Sequence, residues 1–335
     1  MNTKSKATSG SDRPGPWLVA DIGGSNARFG LLAGSGAAIQ HVSKLAVADY
    51  PDPALAVKAY LATLAGVLGT AFQPPCQAAF AVATPVAGDH VEFTNSRWSF
   101  SRIAVQAQLQ LDSLLVLNDF EALALSLPRL QASQLRAHGA LPVPQGTLAV
   151  IGPGTGLGVA GVVQTRSGWI AIPGEGGHVT LPAADDFESA LLAHVRSEFS
   201  HVSGERLLSG IGLPLLHQAV AAVRGAPVTV MSTEYIVEHG LAASDPLCSQ
   251  TLDVFCALLG SVAGNLALIL GARAVYIGGG IVPRLGDYFF ASRFRERFEA
   301  KGRLHSYMQQ IPTALITDTL AALTGAAMAL EQQDM

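Results

Sequence analysis

The sequence has little charge and few cysteines. Charged residues make up 14 % of the 335 residues, and hydrophobic ones 49 %, whereas an average soluble chain is roughly 25 % charged. This balance excludes a disordered or acidic-tail protein, which buries too little apolar surface to form a core. The net charge of −4 predicts no nucleic-acid partner, because such binding needs a dense basic face.

The three cysteines, Cys76, Cys248 and Cys256, form no Cys-x-x-Cys pair. This excludes a disulfide framework and a thiolate zinc site, and it predicts a reducing, cytoplasmic location. Residues 1–16 hold no apolar run, so they do not form a secretory signal, and we interpret them as a flexible tail.

Lysine is absent from most of the chain, since the five lysines stand at positions 4, 6, 44, 58 and 301. No Gly-Lys-Ser/Thr occurs, which excludes a P-loop, and a central Schiff-base lysine is excluded as well. Any phosphate bound here must be held by backbone amides, arginines or a metal ion.

One long apolar stretch, Val254 to Ala272, approaches the ~20 residues that span a bilayer. Ser261 and Asn265 interrupt it and Arg273 follows at once. We interpret it as a buried core helix and predict no membrane partner.

The length favours two domains, and a plan of strand, glycine loop and strand occurs twice. The first copy is Trp17–Asp21, Ile22–Asn26 and Arg28–Leu32; the second is Thr147–Ile151, Gly152–Gly158 and Val159–Val163. We take this as a weak internal duplication. Further strands are predicted at Gln77–Ala83, Leu114–Leu117 and Ala274–Ile277, and helices at Ala54–Leu68, Phe120–Leu127 and Thr319–Leu330. Alternating strands and helices indicate the α/β class.

The glycine loops are either ordinary tight hairpins or anion sites, because glycine lets phosphate oxygens approach backbone amides. The segment Gly152–Gly158 does not fit Gly-x-Gly-x-x-Gly, the motif of dinucleotide-binding proteins. That motif opens a helix, whereas a strand is predicted after Gly158, which argues against a Rossmann oxidoreductase. Asp21, next to Gly23 and Gly24, could hold a hydrated Mg²⁺. Arg28 either joins this site or forms a surface ion pair.

Three further segments hold candidate polar residues. Asn118 and Asp119 end a strand: Asn118 suits a helix N-cap with Glu121, while Asp119 suits a general base at a strand's carboxyl end. Glu175 and His178 have the Glu-x-x-His spacing of half a metal site, without a second half. Glu205 follows Ser203 in the first turn of a predicted helix, where an acid complements the helix dipole.

Taken together, the segments resemble the bacterial glucokinase family over about Trp17 to Leu330. The resemblance rests on a set of motifs in this order: Leu18-Val-Ala-Asp-Ile-Gly-Gly-Ser-Asn-Ala-Arg28, Thr94-Asn95-x-x-Trp98, Asn118-Asp-Phe120, Gly152-x-Gly-Thr-Gly-Leu-Gly158, Pro173-Gly-Glu-Gly-Gly-His178, His201-Val-Ser-x-Glu-Arg206, Leu208-Ser-Gly210 and Gly278-Gly-Gly-Ile-Val-Pro-Arg284.

The resemblance implies an α/β, two-domain, actin-like (duplicated ribonuclease-H-like) sugar kinase with an interdomain cleft. We expect a small domain of residues 17–127 plus 318–335 and a large domain of residues 128–317. The implied reaction is transfer of the γ-phosphoryl of Mg-ATP to the 6-hydroxyl of D-glucose, in a homodimer. A non-catalytic sugar-binding protein, and a kinase using another hexose or donor, remain the alternatives.

The resemblance also assigns residues. Asp119 would be the catalytic base, and Asp21 would hold Mg²⁺ through water. The residues expected to bind glucose are Asn95, Asn118, Asp119, Glu175, His178 and Glu205. Those expected to bind ATP are Asp21, Gly23, Gly24, Ser25, Asn26, Arg28, Gly152, Gly154, Thr155, Gly156, Gly278, Gly279 and Gly280.

Three positions depart from the family pattern. Ser25 replaces a common threonine and keeps the hydroxyl, and Pro153 removes an amide donor from the second loop. Asp318-Thr-Leu-Ala replaces Asn-Pro-Gly before the last helix. The chain lacks the cysteine-rich zinc loop of repressor-type sugar kinases and has no N-terminal helix-turn-helix segment, which argues against a transcriptional regulator.

Overall fold

The computed structural model describes residues 15–93 and 96–333, and the chain divides into two compact units. The first consists of the chain up to Asp119 and from Ala326 onward; the second is Phe120–Gly325. Both junctions lie inside helices, whereas the sequence predicted boundaries at 127/128 and 317/318, near the end of one helix and just before the other. Residues 1–14 of the predicted tail lie outside the described residues.

The strands of the first unit are β1 Trp17–Ile22, β2 Asn26–Leu32, β3 Gln40–Ala46, β4 Gln77–Val82, β5 His90–Glu92, β6 Ser99–Ser101 and β7 Ser113–Asn118. Five of them form a sheet of order β3-β2-β1-β4-β7, and β5 and β6 form a separate ribbon. Strands β1, β4 and β7 are parallel, whereas β2 is antiparallel to β1 and β3 is antiparallel to β2. The helices are α1 Pro53–Leu68 and α2 Arg102–Leu109.

Local sequence explains where these helices begin. The Asp52 carboxylate caps α1 by accepting from Leu55 N, and Pro53 stands at the first position, where its missing N–H costs nothing. Ser101 caps α2 in the same way. The apolar face of α1 then packs on the sheet, where Ala56, Val57 and Tyr60 lie in the core.

The strands of the second unit are β8 Leu135–His138, β9 Thr147–Pro153, β10 Leu157–Thr165, β11 Gly168–Ile172, β12 Ala274–Ile277 and β13 Thr313–Ile316. They form one six-stranded sheet of order β11-β10-β9-β12-β13-β8. The remaining helices, of which the first and last cross the unit junctions, are α3 Asp119–Ser126, α4 Asp186–Arg196, α5 Gly204–Leu207, α6 Gly212–Val223, α7 Thr233–Leu241, α8 Pro246–Leu270, α9 Val282–Leu285, α10 Asp287–Ala291, α11 Phe294–Glu299, α12 His305–Gln309 and α13 Ala321–Gln333.

The two sheets confirm the internal duplication. In each, a first strand turns back into an antiparallel second and third strand, and two later strands add in parallel on its other side. Thus β1-β2-β3 with β4 and β7 correspond to β9-β10-β11 with β12 and β13, and β8 is an addition at the edge. The glycine turns fall at equivalent places, between β1 and β2 and between β9 and β10.

The long apolar stretch forms α8, a core helix, as predicted. It begins after the Asp245 cap and ends at Gly271, whose φ of 59° suits glycine. Most of its residues are buried, and its polar positions are paired, since Arg297 donates to Ser261 Oγ and Lys301 to Asn265 Oδ1. By length and hydropathy alone, residues 53–71 and α8 could each span a membrane.

Candidate active site

The parallel strands of the first sheet bring the predicted polar residues to one edge. Ile22, Val82 and Asn118 are in register across β1, β4 and β7. Asp21 precedes Ile22, and Asp119 follows Asn118. These carboxylates therefore lie at the carboxyl edge of the sheet, where α/β proteins bind ligands.

Asp21 and Arg28 form an ion pair across β1 and β2. They are direct cross-strand partners, and Arg28 Nη1 donates to Asp21 Oδ2 over 3.0 Å. Burial raises the pKa of the Asp21 carboxyl above its ordinary value, and the Arg28 charge opposes that shift. Of the two interpretations of Arg28, the ion pair is thus observed, and its partner is the carboxylate of the candidate site.

The turn after β1 offers backbone donors to solvent. Gly23 N donates to Asn26 O, and Ser25 O accepts from Val47 N. Within the part of the chain that the structure describes, the amides of Gly24 and Ser25 have no acceptor, and Ser25 is exposed. The turn presents two successive N–H groups and a hydroxyl, a concavity suited to phosphate oxygens.

Asn118 is the last residue of β7, and Asp119 begins α3. The side-chain nitrogen of Asn118, Nδ2, donates to the backbone oxygen of Thr84 over 3.3 Å. Thr84, which is buried, in turn donates its hydroxyl to Glu92 O. This chain of hydrogen bonds fixes the end of β7 from which Asp119 follows. Asn95, the remaining predicted sugar ligand in this unit, lies outside the described residues.

The second glycine loop is shorter than predicted. Gly152 pairs with Gly158 and Pro153 with Leu157, so the strands continue inward and only residues 154–156 form the turn. Gly154 O accepts from Gly210 N, and Pro153 O accepts from Ile281 N. The amides of Thr155 and Gly156 have no acceptor among the described residues, which repeats the arrangement of the first turn.

Some glycines near this turn are required by packing and others are not. A Cβ at Gly279, whose φ is 77°, would collide with Pro153 O. In contrast, a Cβ at Gly280 would meet no atom of the described residues within 4 Å, and one at Gly154 would lie 4.0 Å from Gly280 N. Gly154 and Gly280 therefore border open space, as backbone approached by a ligand would.

Glu175, His178 and Glu205 form a cluster in the second unit. His178 Nδ1 lies 3.5 Å from Glu175 Oε2, and His178 Nε2 lies 3.5 Å from Glu205 Oε1. Glu205 Oε2 accepts from the backbone amide of Leu157 over 2.8 Å. Glu205 thus joins the cluster to the strand that follows the second glycine turn. Leu157 was not predicted as a site residue; in the sequence it stood out only as a member of the Gly152–Gly158 motif.

Each member of the cluster is held by backbone. Glu175 forms a bridge with Val159 of β10, and residues 176–178 form a helical turn. Glu205 lies in the first turn of α5, which Ser203 caps by accepting from Arg206 N. Two carboxylates and an imidazole on fixed backbone can hydrogen-bond vicinal hydroxyls.

The structure favours hydrogen bonding to hydroxyls over metal binding by this cluster. No group of three His, Cys, Asp or Glu in residues 15–93 and 96–333 is arranged to hold a metal ion. A nucleotide-bound Mg²⁺ makes a smaller demand, because it keeps several waters and takes one or two protein carboxylates. Asp21, beside the backbone amides of Gly24 and Ser25 and the Ser25 hydroxyl, can supply such a carboxylate.

Comparisons with known proteins agree on one family. The family model described as Glucokinase matches residues 18–333. The chain is 48 % identical over 318 residues to a glucokinase of Aromatoleum aromaticum, covering 94 % of this chain and 95 % of that one. It is also similar to the crystal structure of a glucokinase from an Antarctic psychrotroph, with a TM-score of 0.85, 37 % identity and coverage of 95 % and 99 %.

A more distant structure shares the fold. A ROK family glucokinase from Streptomyces griseus, solved in complex with glucose and AMPPNP, has a TM-score of 0.61 at 20 % identity, with coverage of 95 % of this chain and 100 % of that one. These neighbours confirm the prediction of a two-domain, actin-like sugar kinase fold.

Proposed function

The chain belongs to the glucokinase family, and from this premise we propose that it transfers the γ-phosphoryl group of ATP to the 6-hydroxyl of D-glucose. The products are glucose 6-phosphate and ADP. The observation that carries the proposal is Glu205, whose two oxygens face His178 of the acid–imidazole cluster and the Leu157 amide beside the second glycine turn.

Glucose recognition would use four residues: Asn118, Glu175, His178 and Glu205. Carboxylates accept hydrogen bonds from adjacent hydroxyls in pairs. A site built on such bonds rejects sugars that leave its polar groups unpaired. The exposed fractions of 60 % for Glu175 and His178, and 34 % for Glu205, leave these groups accessible to a sugar.

Asp119 would be the general base. Its carboxylate orients the 6-hydroxyl and accepts its proton as the oxygen attacks the γ-phosphorus, while ADP leaves in line. Its place at the start of α3, directly after the hydrogen-bonded end of β7, supports this role.

The two glycine turns would hold the phosphates, with Gly24, Ser25, Thr155 and Gly156 donating backbone N–H groups to their oxygens. The open space at Gly154 and Gly280 supports an approach of the nucleotide to this backbone. A bound Mg²⁺ would neutralise charge on the phosphate oxygens. Asp21 would hold it through water, while the Arg28 charge opposes the rise in the Asp21 pKa that burial causes.

The proposal is tested by ADP release from Mg-ATP with glucose, mannose, fructose, N-acetylglucosamine or no sugar. We expect fast release with glucose alone. ADP release with only another hexose would make that hexose the substrate. ADP release without any sugar would indicate that the protein hydrolyses ATP. Binding of glucose with no glucose 6-phosphate formed from ATP, ADP or polyphosphate would leave a sugar-binding protein.

A homodimer and a cytoplasmic location are further parts of the proposal. The dimer rests on the family resemblance, and sedimentation of the purified chain tests it. The location rests on three free cysteines, two of them buried, which suits a reducing compartment.

A further inference from the structure

The ring of Phe120, the residue directly after Asp119, packs against three glycines. A Cβ at Gly158 would collide with ring atoms Cδ2 and Cε2, and one at Gly152 would lie 2.8 Å from Cζ. A Cβ at Gly278 would lie 4.0 Å from Cε1 on the other edge of the ring. Gly158 therefore lies against the face of the ring on its Cδ2–Cε2 side, Gly152 lies at Cζ, and Gly278 lies near Cε1. We call the space between Gly152, Gly158 and Gly278 the glycine slot.

The glycine slot is a rigid surface. Gly152 and Gly158 are direct partners in the β9–β10 ladder, and Gly278 N donates to Ile151 O of β9 over 2.9 Å. The slot is therefore built from three hydrogen-bonded segments, and its shape does not depend on side-chain rotamers. At Gly152 and Gly158 no other residue leaves room for the ring.

Two more close contacts hold the rest of α3. Leu123, one turn along, packs on Gly278, where a Cβ would lie 2.8 Å from Leu123 Cδ2. On α13, a Cβ at Gly325 would collide with Ala122 O. Close packing of this kind transmits small displacements, because a well-packed interior has no space to absorb them.

From these contacts, and resting on the proposed function, we propose that Phe120 is a positioning residue for the Asp119 carboxylate. Its ring, wedged in the glycine slot, fixes the first turn of α3 and so the backbone from which Asp119 projects. Gly158 then serves this ring, and Gly152 makes room both for the ring and for the backbone of Gly278 and Gly279. Gly154 and Gly280, in contrast, border open space.

The test measures kcat, the two KM values and the melting temperature of Phe120→Ala and Phe120→Leu. A misplaced base lowers kcat while substrate binding survives, so we expect Phe120→Ala to lose about 10²-fold in kcat with both KM values changed by no more than about threefold. Phe120→Leu should recover part of kcat. The control is Leu125→Ala on the same helix, a buried residue outside the slot, which should lower the melting temperature and keep kcat.

A double-mutant cycle separates positioning from structure. If Phe120 acts through Asp119, then Asp119→Ala with Phe120→Ala has the kcat of Asp119→Ala alone. A further fall equal to that of Phe120→Ala by itself overturns the inference, as does full kcat in Phe120→Ala. Should Asp119→Ala keep its turnover, the proposed base is wrong instead, which distinguishes the two failures.

A reciprocal substitution checks the slot itself. Gly158→Ala places a methyl group where the ring lies, so we expect it to lower kcat in the natural background. In the Phe120→Ala background the ring is gone, and Gly158→Ala should change kcat by less than about twofold. Equal losses of kcat in the two backgrounds would contradict the contact.

Discussion

Glu205 Oε2 accepts a hydrogen bond from Leu157 N over 2.8 Å, while the other carboxylate oxygen faces His178. Leu157 is the first residue after the turn of residues 154–156. The Glu205 carboxylate therefore holds the turn proposed to bind phosphate and also belongs to the cluster proposed to bind the sugar. A charged acceptor makes this a strong hydrogen bond.

The two oxygens of Glu205 can be separated by substitution. Glu205→Gln keeps an oxygen for Leu157 N and removes the charge, so the KM for glucose should rise roughly ten- to a hundredfold, the loss of one charged hydrogen bond, with the KM for ATP unchanged. Glu205→Ala also leaves the amide unpaired and should raise the KM for ATP. Glu198→Gln, an exposed glutamate, is the control. If both Glu205 substitutions changed the KM for ATP equally, the separate roles given to the two carboxylate oxygens would be contradicted.

Removal of the Asp119 carboxylate should affect the chemical step. We expect Asp119→Ala and Asp119→Asn to lower kcat by about 10²- to 10⁴-fold, the contribution of a general base, while glucose affinity measured by calorimetry is kept. A variant with near-natural turnover would falsify the role given to Asp119.

Glycine substitutions should distinguish ligand contact from packing. Among the described residues, the Cβ of Gly154→Ala would meet no atom closer than 4.0 Å, so the melting temperature should stay unchanged and the KM for ATP should rise. Gly177→Ala is the matched control, since its Cβ would collide with Leu157 O, and it should lower the melting temperature. A loss of stability in Gly154→Ala with no change in KM would reverse the assignment.

A buried ion pair should dominate the stability of the α4–α8–α11 contact. Arg297 donates to both oxygens of Glu188, over 2.6 and 3.0 Å, and to Ser261 Oγ. Arg297→Met leaves the Glu188 charge buried and should lower the free energy of unfolding by about 3–5 kcal/mol. Arg293→Met, at an exposed pair, should cost less than about 1 kcal/mol. Urea denaturation compares the two, and similar losses would argue against the buried pair.

The stability of the second unit should fall in acid because of His138. Burial, and then the Arg295 charge, lower its pKa to about 4 from an ordinary 6.5. The unfolded chain thus binds the proton first, and stability is present above pH 6.5 and lost as the pH falls towards 4, with a slope of up to about 1.4 kcal/mol per pH unit.

His138→Phe should flatten this slope. The ring lies among Phe289, Phe290 and Phe294, so phenylalanine suits the site and does not titrate. The free energy of unfolding measured from pH 4 to 7.5 checks it. Some slope should remain, because burial also lowers the pKa of His217. An unchanged slope would exclude His138 as its source.

Much of the fold was predictable from local patterns. The strand Ala274–Ile277 was predicted at its observed bounds, and α1 began one residue earlier than predicted, at Pro53. The duplication followed from two glycine loops between strands, and the two sheets confirm it. Strand alternation, helical spacing and capping residues act over a few positions, so a sequence displays them directly.

The sites were predicted less completely. Motif order pointed to Asp119, Glu175, His178 and Glu205, and the structure brings the last three together. The extent of the second loop was wrong, because Gly152 and Gly158 pair within strands and make room for Phe120. No pattern in the sequence distinguishes a glycine that admits a ring from one that admits a ligand.

The sequence by itself determined the α/β class, the duplicated plan and the residue types available for chemistry. It also excluded a P-loop, since lysine is absent from the middle of the chain. Only the tertiary structure decided that Arg28 pairs with Asp21, that Glu205 accepts from Leu157 N and that Phe120 fills the glycine slot. The last two contacts join residues far apart in the chain, and the first depends on which cross-strand partners the β1–β2 turn sets opposite each other. All three follow from strand register and from the space left between packed backbones.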